Sequence, residues 1–129
     1  MTVGNWEPGS EQAQIPTAVL LRALSYHDEH SFPEQPPEQL LPLQAFVKVT
    51  KSQWQPAFSE LDSEQLKQLC RFFTLAEAHW SDWFGGDKNP VIWICKELKK
   101  RGEFPDKTLT AWIKENSDNR FLPYGNVLG

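Results

Sequence analysis

The sequence predicts an all-α fold, a compact bundle of about five or six helices with a Pro-rich loop and an extended C-terminal tail. Three observations lead there. Apolar residues recur at i, i+3 and i+4 in several windows, and no strand-like alternation of useful length occurs anywhere. Two segments carry full helix-start signals, Asp62 with Gln65 and Asn89 with Pro90. Prolines crowd the stretch between the first two apolar windows, where Pro33, Pro36 and Pro37 delete donors and restrict the residues before them.

In chain order, residues 1–14 contain Gly4, Pro8, Gly9 and Ser10 without a sustained period, and are expected to form a flexible lead with Trp6 as its anchor. Residues 15–129 are expected to form one helical domain, a length sufficient for a single core without staples. Pro16 opens a helix over about 16–28 with Leu20, Leu21 and Leu24 inward. Residues 31–39 are a loop. The window 40–49 has helical spacing through Leu40, Leu41, Leu43, Phe46, Val47 and Val49, with Pro42 tolerated in a first turn. A short segment around 53–60 follows, carrying Trp54, Pro56 and Phe58.

The helix 63–79 has Asp62 as cap, Gln65 completing a capping box, and a stripe of Leu66, Leu69, Cys70, Phe73 and Ala76 widened by Phe72 and Leu75. A helix this apolar belongs at the centre. His79–Gly86 turns a corner with Trp80, Trp83 and Phe84. The helix 90–101 starts at Asn89 and Pro90, ends at Gly102, and points Val91, Cys95 and Leu98 inward while Trp93, Lys96 and Lys100 share another flank. A connector with Asp106 as cap leads to a last helix over 106–116 with Leu109, Trp112 and Ile113 inward. The tail 116–129 is expected to return along the bundle through Phe121, Leu122 and Tyr124.

Composition narrows the function classes. The net charge of −4 is uneven: residues 1–62 hold eight acids against three bases, and residues 63–129 nine acids against ten bases. That balance is far from the excess a nucleic-acid binder carries. The first residues lack the basic and apolar regions of a secretory signal, and Val91–Cys95 is too short to span a bilayer, so a soluble cytoplasmic protein with no membrane partner is expected. Cys70 and Cys95 lie on apolar stripes and read as small buried hydrophobes, with no disulfide expected.

Catalytic and ligand motifs are sparse. His27-Asp28-Glu29-His30 matches no strong zinc spacing, so no metal is assigned. Gly85-Gly86-Asp87-Lys88 precedes a helix start, yet Asn89-Pro90 follows the lysine and no apolar strand precedes the glycines, which favours a plain helix–helix turn over a phosphate loop. No enzyme activity and no cofactor are assigned. Six Trp and eight Phe are many for this length, and some rings beside the local basic patch should reach solvent. The expected function is therefore a non-enzymatic protein–protein interaction module, an adaptor or regulator, contacting its partner through Trp80, Trp83, Trp93, Lys96, Lys100, Arg120 and Tyr124.

The alternative is nucleic-acid binding. Residues 94–116 look loosely like a helix-turn-helix, with Leu98, Gly102, Leu109 and Trp112 near its apolar and turn positions, within a degenerate motif over about 90–116. Its departures are Leu98 at a normally small position, Arg101 at a normally apolar one, and a turn lengthened by Phe104-Pro105. The contacts implied are Lys96, Lys99, Lys100, Arg101, Lys107 and Lys114.

Overall fold

The structure of the protein, a computed structural model, describes residues 14–103 and 107–125. The expected flexible lead, apart from Gln14, and the expected cap at Asp106 lie outside them. Among the described residues the chain forms five α-helices and no strand: α1 Thr17–Ala23, α2 Lys51–Phe58, α3 Ser63–His79, α4 Pro90–Lys100 and α5 Lys107–Asn116. Three 3-10 segments, Glu38–Phe46, Ser81–Trp83 and Gly86–Lys88, join them.

Helix α3 starts where its cap dictates. Asp62 Oδ1 accepts from the Gln65 amide at 2.8 Å and Gln65 Oε1 accepts from the Asp62 amide at 2.9 Å. This reciprocal pair satisfies two otherwise orphan donors, and a cap of this kind contributes about 1 kcal/mol. From Phe72 to Ala76 every side chain is buried, so this part of α3 has no solvent face, and α1, α4 and α5 pack around it. Thr74 belongs to that run because its hydroxyl donates to the Cys70 carbonyl at 2.7 Å, which satisfies it locally. One continuous core runs from Ile15 to Leu122.

Helix α4 is bounded by the devices its sequence carries. Asn89 Oδ1 accepts from the Val91 amide at 2.8 Å, and Pro90 occupies the first turn, where no donor is needed. At the other end Gly102 takes φ +78°, the Gly102 amide donates to Lys99 O at 3.0 Å and the Glu103 amide to Leu98 O at 2.8 Å. Those two bonds are the Schellman pattern, which requires the left-handed conformation that glycine adopts without cost from a Cβ.

Several elements differ from expectation for definable reasons. Helix α1 ends at Ala23, well short of residue 28, and buries Leu20 and Ala23, while Leu21 faces solvent. The window expected as an α-helix over 40–49 is instead the 3-10 helix Glu38–Phe46, which buries Leu40, Leu43 and Phe46. Those three recur at a strict three-residue interval, the repeat of a helix with three residues per turn, and Leu41 is correspondingly left exposed. Of the tail expected to be extended, the described residues 120–124 instead curl in successive turns, with the Leu122 amide bonded to Asn119 O and the Gly125 amide to Phe121 O.

Candidate functional site

The aromatic corner after α3 is interior. Trp80 and Trp83 are 3% and 1% exposed, so neither ring offers the exposed contact surface expected of it from the sequence. The chain leaves α3 at Trp80 in an extended conformation, which turns both indoles back onto Phe72 and onto each other, at 5.9, 6.0 and 5.0 Å between centroids. Phe32 from the Pro-rich loop stacks on Trp80 at 4.7 Å, and Trp80 Nε1 donates to Pro33 O at 3.0 Å. The ring left outside is Phe84, 55% exposed. Trp93 is half-buried and its Nε1 donates to Val49 O at 3.2 Å, so it tethers α4 to the turn that precedes α2.

The remaining expected contact residues are accessible. Lys96, Lys100 and Arg120 are exposed and Tyr124 is 46% exposed. Lys96 and Tyr124 meet at one cleft of about 210 Å³, lined also by Cys95, Lys99 and Pro123. Lys100 lies one turn along α4 from Lys96, outside that lining. Arg120 sits with its guanidinium carbon 5.1 Å from the Phe121 ring centre and lies outside the cleft as well.

The cleft depends on the turn that carries Pro123 and Tyr124, and that turn is held by a polar clasp. Glu77 Oε2 accepts from the amides of Gly85 and Gly86 at 2.8 and 3.1 Å. Its Oε1 accepts from Asn119 Nδ2 at 2.9 Å. The same Asn119 amide donates to Gly86 O at 2.9 Å, and Asn119 Oδ1 accepts from the Phe121 amide at 2.9 Å. Three segments distant in sequence, the end of α3, the glycine turn and the tail, thus meet at one carboxylate. The glycines of the expected helix–helix turn serve that meeting: a Cβ on Gly85 would lie 2.3 Å from Val47 O. Glu77, Asn119, Cys95 and Pro123 were in neither expected contact set, and Lys99 was expected only as a nucleic-acid contact. One signal was present in the sequence, since an acid in the last turn of a helix opposes the helix dipole and calls for specific donors.

The nucleic-acid contacts fare differently from one another. Arg101 is spent inside the protein: its Nε donates to Glu97 at 2.9 Å, and its two terminal nitrogens donate to the carbonyls of Leu61 and Phe58 at 2.9 and 2.8 Å. It fastens the end of α4 to the end of α2 and is withdrawn from the expected set of phosphate contacts. Lys96, Lys99, Lys100, Lys107 and Lys114 are exposed. Among the described residues the main packing of both α4 and α5 is on α3, whereas the two helices of a helix-turn-helix pack chiefly as a unit.

Two further clusters complete the survey. A second cleft of about 300 Å³ lies between the Pro-rich loop and the aromatic corner, with Glu34, Gln44, His79 and Asp82 among its polar lining. Buried Trp83 belongs to its wall, and the Trp83 Nε1 has no acceptor among the described residues. Asp28, Glu29 and His30 bring ligand atoms within 4.8 Å of one another. Their arrangement has local causes: Asp28 Oδ1 accepts from the His30 amide at 2.9 Å, and Glu29 accepts from Trp112 Nε1 at 3.1 Å. No helix among the described residues is long and apolar enough to cross a membrane. No known protein family matches the chain, and neither a curated protein nor a solved structure matches it.

Proposed function

We propose that the protein is a non-enzymatic binding module, an adaptor or regulator, and that its contact face is the cleft between α4 and the C-terminal turn. The observation that carries this reading is the half-exposed Tyr124 ring beside Lys96 and Lys99, over a floor of Cys95 and Pro123. An aromatic ring with an amphipathic edge, flanked by cations, suits an acidic segment of another protein that inserts one apolar side chain. The ring supplies apolar area, and the lysines orient the segment and speed its encounter. Lys100, adjacent on α4, extends the positive field. Protein is placed ahead of nucleic acid because Arg101 is committed to internal carbonyls and both α4 and α5 make their main packing with α3.

The test is selection from a random displayed-peptide library, followed by titration of the enriched peptides at two salt concentrations. Acidic peptides with one apolar anchor are expected, binding more weakly at high salt. Tyr124→Ala should weaken them by about tenfold or more and Lys96→Glu by a similar factor, both being surface changes that leave the fold in place. Enrichment without an acidic consensus, or equal binding by both variants, would overturn the reading. Retention of duplex DNA or RNA with a steep salt dependence would replace it with the nucleic-acid alternative.

A further inference from the structure

The floor of the cleft has chemistry of its own. Cys95 on α4 and Cys70 on α3 place their sulfurs 3.9 Å apart, in van der Waals contact, across the interface between the central helix and α4. Both thiols are free and buried, Cys70 fully and Cys95 with 2% exposure. They are not equivalent. Cys95 lines the cleft, whereas Cys70 lies behind it. Burial pushes the Cys70 thiol well up from its usual range, with the adjacent Cys95 sulfur as a further cause, so Cys70 stays a neutral thiol.

We propose that Cys70 and Cys95 form a reversible intramolecular disulfide when a hydroperoxide enters the cleft and oxidises Cys95. The size of the opening selects the oxidant. Cys95, 2% exposed as a residue and lining a cleft of about 210 Å³, is within reach of hydrogen peroxide, but not of a bulky disulfide such as oxidised glutathione. In the first step the Cys95 sulfur attacks one peroxide oxygen, the O–O bond breaks, and the products are Cys95 sulfenic acid and water. In the second, the Cys70 sulfur attacks the Cys95 sulfur, the S–O bond breaks, and the departing hydroxyl leaves as water with the Cys70 proton. Two electrons pass from the sulfur pair to the peroxide, which ends as two waters. The high proton affinity of Cys70 keeps it from reacting with peroxide itself, and contact with Cys95 offsets its poor nucleophilicity by proximity. Bond formation requires the sulfurs to close by about 1.9 Å from contact to bonding distance. This inference does not rest on the acidic-partner reading, because its readout is the state of the thiols.

The experiment exposes folded, reduced protein to hydrogen peroxide, traps remaining thiols with an alkylating agent, and measures intact mass and peptide maps. The expected product has lost two hydrogen atoms and both alkylation sites, yields a linked peptide pair containing Cys70 and Cys95, and reverts with dithiothreitol. Cys70→Ala should halt Cys95 at a sulfenic acid that dimedone captures, and Cys95→Ala should leave Cys70 unmodified over the same exposure. The same chain unfolded in guanidinium chloride should pair at least tenfold more slowly. Retention of both thiols, oxygen added to either sulfur without a link, linkage only between two chains, or equal rates folded and unfolded would each overturn the proposal. The wild-type measurements stand even if a variant fails to fold.

Discussion

The clasp at Glu77 yields the sharpest energetic prediction. Glu77→Ala removes an acceptor that takes three hydrogen bonds, from the amides of Gly85 and Gly86 at 2.8 and 3.1 Å and from Asn119 Nδ2 at 2.9 Å. A hydrogen bond to a charged group contributes roughly 1.5–3 kcal/mol, and a buried donor left without a partner costs about as much. Gly85 and Gly86 are both buried, so their amides do not simply exchange Glu77 for bulk water. The simple sum is an overestimate: Asn119 retains its bond to Gly86 O, and Glu77 is only partly buried, so water can take up part of the lost bonding. A loss of roughly 3–5 kcal/mol remains, corresponding for a chain of this size to a fall in Tm of roughly 12–20 °C.

Glu77→Gln separates charge from shape. Its carbonyl oxygen can keep the glycine amides, but its NH2 group then faces the Asn119 NH2, so a loss of about 1–2 kcal/mol is expected. Urea denaturation of the single and double variants of Glu77→Ala and Asn119→Ala provides the assay, with an unchanged m-value showing that the same transition is compared. Because the two side chains share one network, the cycle should show a coupling of at least about 1 kcal/mol. A loss below about 1 kcal/mol for Glu77→Ala, or strict additivity in the cycle, would refute the clasp as the device that places the tail.

Two other predictions concern different parts of the fold. Gly85→Ala should destabilise more than Gly102→Ala, although only Gly102 has a positive φ: the added Cβ at 85 meets Val47 O at 2.3 Å and Asn89 Cα at 2.8 Å, while nothing lies within 4 Å at 102. About 3 kcal/mol is expected at 85, where backbone must move, and about 1 kcal/mol at 102, by chemical denaturation; the reverse order would contradict this account. Glu29 is held below the usual carboxylate range, first by its own backbone amide and then by the Trp112 indole. A folded-state value that is lowered stabilises fully above the unfolded value and ceases to do so as pH falls through the folded one, so the Glu29–Trp112 tether should persist through mild acid and then release. The Trp112 indole N–H resonance should report that step with a midpoint below the ordinary carboxylate value, and the step should vanish in Glu29→Gln.

What could be read from the sequence was what a few neighbouring residues decide. Asp62 with Gln65, and Asn89 with Pro90, fix their helix starts within one turn of chain, and both appear at those positions. The period of three at Leu40, Leu43 and Phe46 was also present, but Leu41 and Val47 blurred it into a helical stripe. Which of Trp80, Trp83 and Phe84 would be covered was not a local question. It depends on the extended turn at Trp80 and on Phe32, which arrives from a loop far upstream to stack on that indole. Whether Cys70 and Cys95 touch is likewise decided by how α3 and α4 cross rather than by either stripe alone.

The cleft follows the same logic one level up. Lys96 was a sound surface residue on the face opposite Leu98, and Tyr124 a tail residue with no evident place, and no spacing rule connects them. Their meeting is produced by Asn119, which docks the tail onto Glu77 and the glycine turn. Glu77 is the residue that α3 alone would not choose, since a carboxylate in the last turn faces the negative end of the helix dipole and is unfavourable there by about 0.3–1 kcal/mol. Three hydrogen bonds outweigh that penalty only when the glycine turn and the tail are both in place. An unfavourable local choice therefore becomes favourable through tertiary structure, and the position of Tyr124 beside Lys96 is a consequence of that dependence.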